Sequence, residues 1–422
     1  MKILLLGSGG REHAIAKKIA ASPKTEKLYV LPGNAGMADI AELVPGKATD
    51  IDFVVKFAKD NSIDLTIVGP ESPLIAGVVD ALEAEGLKAF GPNKAAAQME
   101  GSKVFAKEVM DVFGVPTAGY ERFTDPDKAD AYIDSLDTAD PIVVKADGEA
   151  AGKGVTVAKT KAEAKEAVDN IMRKKAFGAS GNSLIIEEFL DGQEASFMFF
   201  ADGDDFVPMV PAQDHKRAYD GDKGPNTGGM GCYSPVPVMT PELQKEIIDT
   251  IIKPTLAGLK AKNIRYRGVL YCGLALTSKG PKVVEYNARF GDPETQVVLP
   301  LLETDLLEIM LAACDGKLGS LNVKWSDKKA VCVVMASGGY PGSYEKGKEI
   351  TGIADAEKDG ALVYHAGTSI KDGKLVTSGG RVLGVTALAD SFEEAIKKAY
   401  EGVEKINFDG AFSRKDIGAR VL

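Results

Sequence analysis

Glu285 and Asn287 stand two apart at the end of an apolar run, residues 281–284, and Arg289 follows two positions later. Side chains alternate faces along a strand, so a strand here sets the Glu285 carboxylate and the Asn287 amide on one face and Tyr286 on the other. Two oxygen donors side by side suit a hard cation such as Mg2+. Arg289 adds a planar fork of donors matched to phosphate or carboxylate. A metal pair next to a phosphate binder points to nucleotide chemistry. The competing reading of this segment alone is a strand end running into a solvated polar loop.

Two glycine-rich turns bear on phosphate. Gly7-Ser8-Gly9-Gly10-Arg11-Glu12 follows a short apolar run and precedes a stretch with Ile15 and Ile19 four apart. A dinucleotide fingerprint would sit here, but Glu12 occupies the place of its third glycine, and no acidic residue closes the next strand. The turn therefore reads as an anion site at a helix N-terminus, strengthened by Arg11, and not as an NAD site. The second turn runs from Gly148 through Gly152 and Lys153 to Gly154. Its first two glycines are one residue too close for a P-loop, and Gly154 stands where a metal-binding Ser or Thr is needed. A glycine loop between two strands can instead close over a triphosphate, its backbone N–H groups and Lys153 facing the oxygens.

The elements that would position these groups are legible as runs between breakers. Apolar runs at 2–6, 28–31, 64–68 and 88–90 alternate with helical stretches, which predicts a doubly wound parallel sheet over about the first 100 residues. Strands at 142–145 and 155–158 flank the second glycine loop, with a helix at 162–173. A strand at 183–188 is expected to pair with the next one, 194–200. Residues 221–233 read as a loop, 241–262 as helical, 269–277 and 282–285 as a hairpin, and 299–313 as one amphipathic helix. A last unit holds strands at 330–335 and 381–387 and a helix at 392–406.

Composition narrows the classes. The chain has 422 residues, 27% charged and 45% hydrophobic, as soluble enzymes of two to four domains have. A net charge of -10 argues against a broad nucleic-acid surface. Four cysteines without a C-x-x-C pair and three histidines argue against zinc and suit a reducing cytoplasm. The apolar run at the N-terminus is too short for a signal peptide, and no stretch is long enough to span a membrane.

Taken in order, Val143-Val144-Lys145, the loop to Gly154, the segment from Ile185 to Glu194 and Val284-Glu285-Tyr286-Asn287 resemble the ATP-grasp ligases. Within that superfamily the chain is similar to the phosphoribosylamine–glycine ligase family. The finer match rests on Gly7 to His13, Val68-Gly69-Pro70-Glu71, Gly91-Pro92-Asn93, Asp214-His215-Lys216-Arg217, Asn226 to Gly231, Arg289 to Glu294 and Gly379 to Gly384. The resemblance implies a multidomain protein of α/β and α+β units. Residues 1–102 would form a pre-ATP-grasp α/β domain, 103–325 a two-part ATP-grasp unit with a mobile lid at about 115–185, and 326–422 a small β-rich domain.

It further implies the ATP-dependent joining of glycine to 5-phosphoribosylamine through glycyl phosphate, a step of purine biosynthesis, with Mg2+ or Mn2+, by a cytoplasmic monomer. Ending at Leu422, the chain is expected to be the monofunctional form. By position in the family pattern, Lys103, Lys145, Lys153, Gly152 and Gly154 would hold the ATP phosphates. Glu187, Glu188, Phe189 and Leu190 would form the hinge that reads adenine, and Glu194 would take the ribose. Glu285 and Asn287 would bind metal. Arg289, Asp292 and Lys145 would serve catalysis. Gly9, Gly10, Arg11, Glu71, Asp214, Lys216 and Arg289 would face the substrates, with the ribose phosphate at residues 9–11. His215 and the cysteines would be structural. The rival classes are an NAD oxidoreductase, a non-catalytic nucleotide sensor and, within the superfamily, a purine-pathway carboxylase.

Overall fold

The computed structural model describes residues 1–148 and 154–422. At the N-terminus the strand Lys2–Gly7 lies at the centre of a five-stranded parallel sheet. Lys27–Pro32 and then Glu42–Leu43 extend it on one side, Leu65–Val68 and then Ala89–Phe90 on the other. Ile3, Leu4, Leu5 and Leu6 are fully buried, the continuous apolar run expected of a strand covered on both faces. Strand order reverses on either side of Lys2–Gly7. That reversal opens a crevice at the carboxyl ends of the strands, where such sheets bind ligands.

The middle of the chain builds two antiparallel sheets. One holds Tyr120–Phe123, Leu184–Glu188, Ile142–Ala146 and Val155–Ala158, in that order. The other holds Phe206–Pro208, Gly192–Asp202, Arg267–Thr277 and Gly280–Asn287. The expected pairing of 183–188 with the following strand does not occur. Leu184–Glu188 is already flanked on both sides, and Gly192–Asp202 pairs along its whole length with Arg267–Thr277. Residues 189–191 carry the chain from one sheet to the other.

The hairpin of Arg267–Thr277 and Gly280–Asn287 forms as expected, in the register Gly273 to Glu285 and Tyr271 to Asn287, with a bulge between Gly273 and Leu274. Tyr286 is buried, whereas Glu285 and Asn287 are half-buried on the opposite face.

The last sheet draws on two parts of the sequence. Gln213–Asp214 and Gly231–Ser234 join Lys329–Ala336, Arg381–Ala389 and Leu362–His365 in one five-stranded layer, covered by the helix Phe392–Lys405. Residues 221–233 are thus not a loop throughout: Arg217–Tyr219 and Lys223–Asn226 form a hairpin, followed by Gly231–Ser234. The hairpin strands lack apolar alternation, so pattern could not reveal them. The expected helix at 299–313 is two, Thr295–Leu301 and Leu306–Cys314, the second capped by Asp305, whose carboxylate accepts the Leu307 N–H. Among the described residues, no helix is long and apolar enough to cross a membrane.

Candidate active site

A cavity of about 570 Å3 lies where the three parts of the chain meet. Its cationic wall starts at the helix Lys103–Val112. Ser102 caps that helix by accepting the Phe105 N–H at 3.1 Å. Asp147, just past the strand that carries Lys145, accepts from Ser102 Oγ at 3.0 Å, Val104 N–H at 3.2 Å and Ser183 Oγ at 2.9 Å. The cap thus ties the helix start to the root of the second glycine loop, and Lys103 Nζ donates to the Gly148 carbonyl at 3.3 Å.

Four residues on, Lys107 shares the cavity-facing side of the helix. Lys107 Nζ lies 2.9 Å from Glu187 Oε1, and Lys145 Nζ lies 2.5 Å from Glu187 Oε2. The three side chains are 3–6% exposed. Lys107 also donates to Thr117 Oγ1 and the Ala118 carbonyl, and Lys145 to the Val284 carbonyl. Burial lowers the Lys107 pKa against the pull of Glu187. Burial would raise that of Glu187, but Lys145 and Lys107 outweigh it and keep the carboxyl ionised. The trio carries a net positive charge at the cavity wall, which an anion can neutralise. Lys107 was not singled out from the sequence. Its only signal is a lysine between Ala106 and Val109, both buried.

Glu285, Asn287 and Arg289 enter the same cavity. Arg289 is braced on several sides: Nε to Glu71 Oε2 at 3.2 Å, and Nη2 to Glu100 Oε1 at 2.7 Å and to Asn287 Oδ1 at 3.3 Å. Burial would raise the Glu71 pKa, but Arg289 and Arg11 draw it down to about 2. Among the described residues, no group of three or more His, Cys, Asp or Glu is placed to cage a metal. One carboxylate and one amide oxygen facing the cationic wall instead fit a divalent ion that arrives with polyphosphate oxygens and water as its other ligands.

The N-terminus of the helix Gly10–Ala20 departs from expectation. Glu12 Oε2 accepts the Gly9 N–H at 2.6 Å, and Glu12 Oε1 lies 2.5 Å from Arg11 Nε. The Arg11 N–H donates to Asp292 Oδ2 at 3.3 Å, and its Nη1 and Nη2 go to the Phe290 carbonyl and Glu71. Two protein carboxylates thus occupy the anion position assigned to a substrate phosphate at Gly9, Gly10 and Arg11. The strand ends are shaped around Glu12, since a Cβ on Gly7 or Gly69 would come within 2.4 Å of its side chain.

Gly9 instead lines a second cavity of about 360 Å3, with Ser8, Gly33, Asn34, Thr368 and Arg381. Asp292, Tyr340 and Arg381 line both cavities and form the wall between them. Arg381 Nη1 lies 3.4 Å from Asp292 Oδ1, and Gln296 Nε2 donates to the same oxygen at 2.8 Å. Burial would raise the Asp292 pKa, but Arg381 and Arg11 hold it below the usual range.

Elsewhere around the cavity, Lys216 Nζ bridges Glu194 Oε2 at 3.0 Å and Asp214 Oδ1 at 3.1 Å. Behind them sits Glu294, which the sequence did not single out. It is 3% exposed and accepts from Ser196 Oγ at 2.9 Å and Tyr271 Oη at 3.0 Å. Burial and then Asp214 raise its pKa.

Lys103, Lys145, Gly154, Glu187, Glu285, Asn287, Arg289, Asp292, Arg11, Glu71, Asp214 and Lys216 therefore converge on one cavity. Glu188 faces outward, its carboxylate on the Gly119 N–H and Lys282, and Phe189 is 39% exposed beside it. Gly152 and Lys153 lie outside the described residues. His215 is structural, its Nε2 accepting the Gly418 N–H, and Cys232, Cys272 and Cys332 are buried.

Known proteins align with this arrangement along the whole chain. Residues 1–100, 101–295 and 330–420 match the N, ATP-grasp (A) and C domains of phosphoribosylglycinamide synthetase. A phosphoribosylamine–glycine ligase of Caldanaerobacter subterraneus is 52% identical over 99% of this chain and 100% of its own. A chicken trifunctional purine biosynthetic protein is 51% identical over 100% of this chain and 42% of its own. The crystal structure of phosphoribosylamine–glycine ligase from Thermotoga maritima superposes with a TM-score of 0.87 at 36% identity, covering 99% of this chain and 100% of that one. The biotin carboxylase domain of a Hydrogenobacter thermophilus 2-oxoglutarate carboxylase shares the fold at a TM-score of 0.73 and 16% identity, over 98% of this chain and 91% of that one. With matches in all three of its parts, the chain belongs to the phosphoribosylglycinamide synthetase family of ATP-grasp ligases.

Proposed function

We propose that this chain joins glycine to 5-phosphoribosylamine with ATP, releasing ADP and phosphate, in the manner of the family. The observation that carries the reading is one cavity lined by buried lysines, a pair of oxygen ligands and a further group of carboxylates, Asp214, Asp292 and Glu294. A carboxylate is a poor acyl donor, because oxide would have to leave; its phosphorylation to glycyl phosphate supplies a good leaving group. Phosphoryl transfer needs positioning and charge neutralisation more than a covalent catalyst. Lys103, Lys107 and Lys145, with Lys153 and Gly154, hold the phosphates. Glu187 keeps two of these lysines in place. Residues 187–190 read adenine by their backbone, and Glu194, fixed by Lys216, takes the ribose hydroxyls.

Glu285 and Asn287 hold Mg2+ or Mn2+, which when bound supplies charge neutralisation at the phosphate oxygens. Arg289 orients the glycine carboxylate or the transferring phosphate from its brace on Glu71 and Glu100. Ionised Asp292, in the wall between the cavities, steadies the amine that attacks. The sugar-phosphate end of 5-phosphoribosylamine lies in the second cavity, between Gly9 and Arg381, and not on the filled helix N-terminus. Residues 1–102 supply the crevice, 103–325 the nucleotide site and 326–422 the outer wall. The form expected from the family resemblance is a cytoplasmic monomer, and the free thiols suit that compartment.

The test is ADP release with glycine and freshly made 5-phosphoribosylamine. Release should require both; release indifferent to glycine would remove the assignment.

A further inference from the structure

The hairpin of Arg217–Tyr219 and Lys223–Asn226 has almost no core of its own: of its strand residues only Ala218 is buried. An isolated two-stranded hairpin is marginal in water. Yet Asp214 and Lys216 on one side of its base, and Asn226, Thr227 and Gly228 on the other, are wall residues of the larger cavity. The base is anchored in the C-terminal sheet, where Gln213–Asp214 pairs with Gly231–Ser234, and by Arg381 on the Gly228 carbonyl; the turn at the far end needs an anchor of its own.

The end of the chain holds this turn and reaches back toward the base. Arg414 is 1% exposed at its side chain and does not line the cavity. Its Nε and Nη2 donate to the two carboxylate oxygens of Asp416, each at 2.7 Å. Its Nη1 donates to Asp222 Oδ1 at 2.9 Å and to the Arg217 carbonyl at 3.1 Å. Asp416 in turn accepts the Gly221 N–H at 2.8 Å, and Asp220 accepts the Lys415 N–H at 2.8 Å. Arg420 reaches Asp222 at 2.6 Å, and the Gly418 N–H reaches His215 at 3.2 Å. Residues 220–222, the turn of the hairpin, are thus each held by residues 414–420. Bidentate Arg–carboxylate pairs are the geometrically specific kind of ion pair. Arg414 presents one such fork to Asp416 and its remaining nitrogen to the hairpin.

We propose that residues 414–420 form a clasp that sets Lys216 and Asp214 for the substrates, with Arg414 as its positioning residue. This rests on the reading above that these two side chains face the substrates. A displacement of about 1 Å at a substrate-positioning group can cost about a hundredfold in rate. Without the clasp the base keeps its place in the sheet, but the hairpin loses every one of these contacts at its turn and the Arg414 bond to the Arg217 carbonyl, next to Lys216.

The experiment compares Arg414→Met and Arg414→Lys in the full-length protein by two readouts. One is the rate of trypsin cleavage after Arg217 and Lys223, followed by mass spectrometry without substrates. The other is the set of KM values for ATP, glycine and 5-phosphoribosylamine. Arg414→Met should speed cleavage at least tenfold and raise KM for glycine or 5-phosphoribosylamine at least tenfold, with a smaller rise in KM for ATP through the Lys216–Glu194 pair. Arg414→Lys should fall between it and the parent. Unchanged cleavage would overturn the clasp. Faster cleavage with unchanged substrate KM values, or an equal rise in KM for ATP, would overturn the positioning role. If Arg414→Met fails to fold, Asp222→Asn, on the half-exposed side of the contact, is judged by the same outcomes. A parent protein without glycine-dependent ADP release would count against the proposed function, while the cleavage comparison would still decide the clasp.

Discussion

Glu187→Gln should be the most destabilising single-atom exchange in the cavity wall. The carboxylate is shared by two buried ammonium groups, Lys107 at 2.9 Å and Lys145 at 2.5 Å. Removing one partner of a buried ion pair costs about 3–5 kcal/mol, because the remaining charge keeps its desolvation penalty without its compensation. Here two charges lose their partner at once. Lys107 falls back on Thr117 Oγ1 and the Ala118 carbonyl, and Lys145 on the Val284 carbonyl, all neutral acceptors. A loss of at least about 3 kcal/mol follows.

Lys107→Met provides the contrast. Glu187 would keep Lys145, and the Thr117 hydroxyl would keep its bond to the Val283 carbonyl at 2.7 Å. This variant should cost clearly less than Glu187→Gln, because Glu187 keeps one ammonium and the desolvation penalty of the other is removed with it. Yet it should bind ATP about 10- to 150-fold more weakly, the worth of one hydrogen bond to a charged group, about 1.5–3 kcal/mol. The double variant should be less destabilised than the sum of its parts, since removing Lys107 removes one of the stranded charges. Urea unfolding followed by far-UV circular dichroism measures all four corners of this cycle. A Glu187→Gln protein within about 1 kcal/mol of the parent would refute the view that the trio is one electrostatic unit.

Three further expectations concern acid, metal and the second cavity. Burial first, then nearby cations, lower the pKa of His215 and His365 from 6.5 to about 4 in the folded chain. Below pH 6.5 the unfolded chain binds protons that the folded chain resists, so stability should fall between about 6.5 and 4, by about 3 kcal/mol for each histidine. His215→Gln should flatten part of that loss in a pH series of urea midpoints; an unchanged slope would contradict it. Glu285→Gln should raise the Mg2+ concentration needed for half-maximal activity at least tenfold, because it removes the only full charge from the ligand pair; an unshifted titration counts against the ligand. Arg381→Ala should raise KM for 5-phosphoribosylamine at least tenfold and that for ATP less than twofold, as loss of a local contact does; the reverse split would move the sugar phosphate elsewhere.

Much of this site was legible because its signals were local. The alternation across Glu285, Tyr286 and Asn287 is a property of one strand, and it fixes which two oxygens share a face. The breakers after 2–6 and 64–68 mark the strand ends that open the crevice. What was not legible depends on distant partners. Glu12 looked like a missing glycine, but whether its carboxylate points outward or folds back onto the Gly9 N–H depends on Gly7 and Gly69 leaving room for it. Lys107 and Glu294 are charged groups in apolar surroundings whose role rests on contacts 80 and 98 positions away, with Glu187 and Ser196. The hairpin at 217–226 escaped because its strands lack apolar alternation and its turn is held by distant residues, 414–420.

The shared C-terminal sheet also constrains how the chain is made. Gly231–Ser234 pairs with Lys329–Ala336 in the register Gly231 to Val333, a separation of 333 − 231 = 102 residues. At about 5–20 residues per second of synthesis, the earlier strand leaves the ribosome about 5–20 s before its partner exists. During that interval the nascent nucleotide-binding half carries an unpaired edge, the kind of surface that invites pairing with another chain. Truncation near residue 326 would make that interval permanent. An attempt to isolate the central unit by cutting there should therefore yield a protein that aggregates, even though the ATP-facing residues are all retained.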